Sequence, residues 1–191
     1  MTTYYQLMED YSLDYGITDG PKLPDGCVMT GSWVEPESLP ELVYEINVPD
    51  DEPCQHFMTG GTVIASQHLI QVLHNAGVTN FQHFPVVLIN PDTRKKRTGF
   101  FLFNVLGLLK AADMGKSAFD TLMEADDEGV AVPLVAFNEL VLDGSKLGGL
   151  RMFRLAESPS VLIVDEAIKT ALVDNRPDDG WGIMLEEVDV A

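Results

Sequence analysis

Three short stretches carry residue types that could do chemistry. Gly115-Lys116-Ser117 ends like a phosphate-binding loop, Cys54-Gln55-His56 offers a thiol and an imidazole to a metal, and Asp174 to Gly180 offers oxygen donors to calcium. Each chemistry demands a fixed spacing, and each spacing fails. A phosphate loop needs a glycine five positions before its Gly-Lys pair, so that backbone N–H groups can cradle the phosphates. That position is Lys110, Gly107 is out of register, and Asp113 would set a carboxylate among the phosphates. A calcium loop begun at Asp174 meets Arg176 at its third position, Asp179 where a glycine must turn, and Leu185 where a glutamate must close the shell. Zinc takes three or four ligands. Beyond Cys54 and His56 the other histidines, His68, His74 and His83, lack the spacing of a helical pair, and His68 and His74 fall on different faces of one helix. No Gly-x-Ser-x-Gly elbow is present, and among 30 Asp and Glu a pair of carboxylates carries no information. The chain is therefore expected to hold no catalytic residue, no metal and no cofactor, and not to be an enzyme.

The elements that would position any site are unevenly legible. Residues 16–60 are punctuated by Gly, Pro and Asp (GITDGPKLPDG, VEPESLPE, VPDDEP), which predicts turns and irregular structure with one strand at Leu42–Asn47. Residues 1–57 read as an N-terminal arm or small lobe packed on a domain over 58–191, with Tyr4, Tyr5, Tyr11, Tyr15, Trp33 and Tyr44 available for burial. From Thr62 the pattern turns helical, with Leu69, Ile70, Leu73 and Ala76 on one face, Ser66 as N-cap and Gly77 as stop. Phe81–Ile89 and Gly99–Val105 predict an antiparallel hairpin with a long basic tip, NPDTRKKR; Pro85 suggests that the first strand has an edge or a bulge. Asp120–Glu128 reads as helix or loop, and Val132–Val141 as a strand. Leu150–Leu155 and Val161–Val164 are two strands, followed by a helix from Glu166 to Val173 capped by Asp165 and a closing strand, Gly182–Val188. No internal repeat is evident. Trp33 and Trp181 read as packing anchors, and Arg151 and Arg154 as partners of local carboxylates. The fold class expected is α+β: a mixed, mainly antiparallel sheet with two or three helices and an irregular, Pro/Gly-rich N-terminal arm.

The 191 residues, 46% hydrophobic, suffice for a core without disulfides or metals. Two cysteines make no disulfide framework, the start MTTYYQLMEDY lacks the features of a signal peptide, and the run Gly99–Leu109 is too short to span a bilayer. These point to a cytoplasmic location. The net charge of −18 disfavours nucleic-acid binding and anionic membranes and favours basic partners. The charge is blocked along the chain. Residues 1–60 carry −11, residues 61–112 carry +4, and residues 113–191 carry −11.

Several blocks together resemble a known family. LIQVLHNAGVTNFQHFPVV (Leu69–Val87), FFLFNVLGLLKAAD (Phe100–Asp113), LVLDGSKL (Leu140–Leu147), MFRLAESPSVLIVDEAIKTAL (Met152–Leu172) and GWGIMLEEV (Gly180–Val188) are similar, in order and spacing, to immunity proteins of bacterial polymorphic toxin systems. The match is to the eleventh such family, formerly a domain of unknown function and named after a myxobacterial protein. It covers roughly residues 58–190 and extends only loosely into the first 57. The resemblance brings no catalytic motif. It implies a cytoplasmic protein that binds and neutralises a cognate toxin, often encoded beside it; many such toxins are nucleases, deaminases or peptidases. With two acidic flanks the expected contacts are the acidic turns Asp50-Asp51-Glu52 and Asp126-Asp127-Glu128, facing a basic toxin. A structural or oligomerisation module, or an enzyme with a cryptic site, stays open as an alternative. The oligomeric state is not set by the sequence.

Overall fold

Two nine-residue helices anchor the architecture, and both start the same way. Ser66 Oγ accepts the Leu69 N–H at 3.1 Å, and Asp165 Oδ1 accepts the Ile168 N–H at 3.0 Å. Each side chain satisfies one of the donors that a first helical turn leaves without a partner. The first helix ends at Gly77, whose φ of 86° suits a residue without Cβ. Orphan carbonyls at the two C-termini are met from a distance: Arg151 Nη1 donates to the Ala76 carbonyl at 2.7 Å, and Trp181 Nε1 donates to the Leu172 carbonyl at 2.7 Å.

A computed structural model describes residues 2–12, 15–24, 28–124 and 132–191. In chain order the elements are β1 (Tyr4–Glu9), β2 (Ile17–Asp19), β3 (Val43–Ile46), β4 (Phe57–Thr59), β5 (Val63–Ser66), α1 (Gln67–Asn75), β6 (Phe81–Ile89), β7 (Lys96–Val105) and β8 (Leu108–Leu109). They continue with β9 (Ala118–Met123), β10 (Leu134–Glu139), β11 (Val141–Leu142), β12 (Met152–Leu155), β13 (Leu162–Asp165), α2 (Glu166–Asp174) and β14 (Ile183–Val190). Two six-stranded sheets result, ordered β2-β3-β6-β7-β5-β4 and β11-β14-β1-β13-β12-β8, and β9 with β10 forms a separate two-stranded ribbon. The fold is a β-rich α+β fold with mixed sheets. Among the described residues no helix is long and apolar enough to cross a membrane.

The two sheets repeat one design, although the sequence shows no repeat. In each, a strand hairpin runs directly into a capped helix and then a long strand: β4-β5-α1-β6 in one, β12-β13-α2-β14 in the other. In each, the long strand pairs in parallel with a short strand that precedes the hairpin, β3 with β6 and β11 with β14. In each, one further strand sits between the hairpin and the long strand and pairs antiparallel with both. That strand is β7 in the first sheet, supplied immediately after β6. In the second sheet it is β1, supplied from the opposite end of the chain. Even the cap positions correspond: Ser66 stands opposite Phe100, and Asp165 opposite Tyr4.

Three apolar cores hold these layers. The central one joins the facing sides of both sheets to the helices, with Leu7, Phe57, Phe103 and Leu162 meeting Leu69, Leu73, Ile168 and Leu172. A second covers the outer face of the first sheet with residues including Val28, Val34 and Leu42. A third covers the outer face of the second sheet with Ala111, Leu142 and Leu147. The arm is stitched down by polar groups as well. Gln82 exchanges two hydrogen bonds of 2.9 Å with the backbone of Val34, Asn104 Nδ2 donates to the Ser32 carbonyl at 2.9 Å, and the Gly107 N–H donates to the Gly31 carbonyl at 2.7 Å.

Several expectations needed correction. Of the six aromatic residues offered for burial, Tyr4, Tyr5 and Tyr44 are buried, but Tyr11 and Trp33 stand 72% and 63% exposed and Tyr15 is also exposed. Residues 120–123 of the segment read as helix or loop belong to strand β9. The edge or bulge expected at Pro85 is present: β6 pairs with β3 only from Val87 onward, so the proline has one neighbouring strand, and the register against β7 shifts between Val86 and Leu88. There its missing N–H costs no ladder bond.

Candidate functional site

The predicted acidic turn Asp50-Asp51-Glu52 lies against the basic tip of the β6–β7 hairpin. Thr93 Oγ1 donates to Asp50 Oδ1 at 2.9 Å, Lys95 Nζ donates to the Asp50 carbonyl, and Arg97 donates to the carbonyls of Glu52 and Pro49 at 2.6 and 2.5 Å. The cations thus take backbone oxygens. Among the described residues no cation lies within 4 Å of the Asp51 or Glu52 carboxylate, and both residues are exposed. The structure therefore brings the basic island and one acidic turn together, which linear charge blocks do not reveal. Asp126, Asp127 and Glu128 lie outside the described residues. The ribbon strands on either side of them leave Leu122 70% and Met123 41% exposed, beside exposed Asp120 and Glu124.

A Ser-His-Asp grouping forms that no spacing along the chain signals. His56 Nδ1 lies 2.7 Å from Ser66 Oγ, and its Nε2 lies 3.5 Å from Asp179 Oδ1. The rings of His68 and Trp181 flank it at 5.6 and 5.2 Å between centroids. Burial, opposed by Asp179, holds the His56 pKa below the usual histidine range. With Asp179 facing Nε2, the tautomer that carries its proton there leaves Nδ1 free to accept from the Ser66 hydroxyl. A nucleophilic serine needs an accessible oxygen. Ser66 is 5% exposed, and its oxygen already accepts the Leu69 N–H as the cap of α1. The grouping ties the strand before α1 to the turn after α2. Among the described residues no cluster of three or more His, Cys, Asp or Glu could hold a metal ion. Cys54 is buried, which pushes its thiol pKa up, and Cys27 lies outside the described residues. Lys116 pairs with Asp113 at 3.4 Å.

The charged groups buried deepest depart most from expectation. Arg151 spends its guanidinium on the α1 C-terminus. Arg154 is 1% exposed, and among the described residues it has no carboxylate within 4 Å. Its Nη1 donates to the Pro159 carbonyl at 2.8 Å, while Nε and Nη2 have no hydrogen-bond partner. Burial pushes its pKa down to about 10, so it remains a cation at neutral pH. Glu157, also 1% exposed, accepts the Ala112 N–H at 3.3 Å through one oxygen and leaves the other unpartnered. Burial raises its pKa. The sequence reading made Arg154 a partner of a neighbouring carboxylate, which the structure does not supply among the described residues; its place in the apolar run MFRL was the available sign of burial.

What these features define is a β-rich scaffold whose polar chemistry is largely structural and whose surface carries unneutralised carboxylates. The model of the family described as Immunity protein family (Imm11) matches residues 13–190, nearly the whole chain, and the protein belongs to that family. No curated protein matches the chain. Membership supports a role in toxin neutralisation in general, in a family that is generally non-enzymatic.

Proposed function

We propose that this protein is a cytoplasmic member of a polymorphic toxin system that binds its cognate toxin and neutralises it without catalysis, presenting acidic surfaces to a basic face of the toxin. The observation that carries the reading is the excess of unpaired negative charge. Among the described residues, Lys116–Asp113 and Lys146–Asp143 are the only lysine- or arginine-carboxylate pairs within 4 Å, in a chain with 30 Asp and Glu. Such a surface attracts a basic partner and raises its association rate. The contacts proposed are Asp50, Asp51 and Glu52, with the weight on the two exposed carboxylates, and Asp126, Asp127 and Glu128, which fall between the two ribbon strands in sequence. The exposed Leu122 and Met123 supply apolar area beside exposed Asp120 and Glu124, a combination suited to an interface.

The test is calorimetry with the toxin domain encoded beside this protein. A dissociation constant of about 1 µM or tighter is expected, and no measurable heat would sink the proposal. An enzymatic account would instead require the toxin to be altered covalently after mixing, which mass spectrometry of the recovered toxin reads directly.

A further inference from the structure

At the seam where β1 and β13 of one sheet meet β4 and β5 of the other lies a cleft of about 540 Å³. Leu7, Phe57 and Leu162 give it an apolar wall, and Arg154 and Thr62 line it. Both carry orphaned groups: Arg154 Nε and Nη2, and Thr62 Oγ1, are buried without hydrogen-bond partners. Buried cations are ordinarily paired, because an isolated charge in a low-dielectric interior is costly. The free nitrogens are not an arbitrary two. Nε–H and the adjacent Nη2–H form the side-on edge of the guanidinium, two parallel donors whose spacing matches the oxygens of a carboxylate. The third nitrogen, held by the Pro159 carbonyl, fixes that edge in place.

We infer that this cleft is a binding site for a single carboxylate carried on an apolar body, received by the Nε–Nη2 edge of Arg154 with the Thr62 hydroxyl as a further donor. One negative charge balances one guanidinium. The Glu9 carboxylate, held by the Thr59 N–H at 2.8 Å, lines the same cleft and opposes every negative charge brought in, so a singly charged carboxylate is favoured over a doubly charged phosphate. The apolar wall suits hydrocarbon. Because the orphaned atoms are sealed from water, the ligand reaches them only as the lining shifts, so binding is expected to be slow and saturable. The carboxylate has two possible sources, a free apolar acid or the C-terminus of a protein chain, and the site chemistry is the same for both. This inference stands apart from the proposed toxin contacts, so either can fail alone.

The experiment titrates the whole protein with hexanoate, with its uncharged analogue hexanamide, and with a short apolar peptide bearing either a free or an amidated C-terminus. Melting temperature and the NMR signal of the Arg154 Nε–H are followed. Hexanoate or the free-acid peptide should raise the melting temperature with saturation and move that signal, while hexanamide and the amidated peptide do neither. Tighter binding of the free-acid peptide than of hexanoate identifies a chain end as the source, and the reverse order identifies a free acid. Arg154→Met keeps the length and removes the charge, and should weaken carboxylate binding about ten- to hundredfold. Arg154→Lys, with charge but no fork, guards against a folding failure of the methionine variant and should bind more weakly than the native protein. Equal response to hexanoate and hexanamide, no response to any carboxylate at 10 mM (roughly the weak limit of a specific small-ligand site), or an unchanged affinity in both variants would overturn the inference.

Discussion

The sharpest predictions at the scale of single residues concern two buried titratable groups with opposite shifts. The Glu157 pKa is raised by burial, so the folded state favours its protonated form. Its contribution to stability is fully present below the unfolded carboxyl pKa and is lost as pH rises through the folded value. Glu157→Gln removes the charge while keeping an acceptor for the Ala112 N–H. The variant should therefore lose this part of the pH dependence and melt at least as high as the native protein at pH 7. A lower melting temperature at pH 7 would mean that the ionised carboxylate has a partner that stabilises it. His56 runs the other way. Its pKa is lowered, chiefly by burial, so its contribution is present above the unfolded imidazole value and is lost as pH falls through the folded value. Denaturant titrations of His56→Gln from pH 7.5 to 4.5 should show a flatter pH dependence below about 6.5 than the native protein. Parallel curves for the two would exclude His56 as the titrating group.

Among the elements, the ribbon of β9 and β10 and the arm make separable claims. Leu122 is 70% exposed, so Leu122→Asp should leave the folding stability within about 0.5 kcal/mol of native while weakening toxin binding. Retained affinity would remove the ribbon from the interface. Gly31 has a φ of 67°, and a Cβ there would stand 2.7 Å from the Gly107 backbone. Gly31→Ala should therefore cost about 1–3 kcal/mol in chemical denaturation, from the left-handed backbone and the clash together. How far each element was legible follows from where its signal lies. Both helices, the β6–β7 hairpin and the β12–β13 pair announce themselves locally, through a cap, a stop glycine or a bounded apolar run. The strand β9 was misread because its faces are almost all exposed and carry no hydrophobic alternation. The strand β1 was not distinguished from the arm, because its partners β13 and β14 lie at the far end of the chain. Likewise His56, Ser66 and Asp179 become neighbours only through the packing of the two helical units, and the orphaned edge of Arg154 is a property of what surrounds it.

At the scale of the whole molecule, the −18 charge makes a kinetic prediction. If acidic faces steer a basic toxin, the association rate should fall steeply between 50 and 300 mM salt, concentrations that shrink the screening length to under about 10 Å at the upper end. The dissociation rate should change far less. A salt-independent association rate would assign recognition to apolar contacts alone. The acidic excess was plain in the sequence, whereas the clasp between the basic tip and the Asp50 turn was not, since it joins two blocks of opposite charge that composition keeps apart.

The duplicated sheets differ in where their inserted strand comes from, and that difference sets an order of events during synthesis. The first sheet receives β7 directly after β6, so it can close while the ribosome is still making the rest of the chain. The second receives β1, the first strand to be made, and pairs it with β13 and β14, the last. From its emergence until β13 has left the ribosome, YYQLME is a strand with both edges unpaired, and one edge stays open until β14 follows. Such a segment is exposed to wrong pairing throughout. The second sheet closes only once β14 has been made, and a chain cut short before it leaves β1 with one edge unpaired and β11 without its parallel partner.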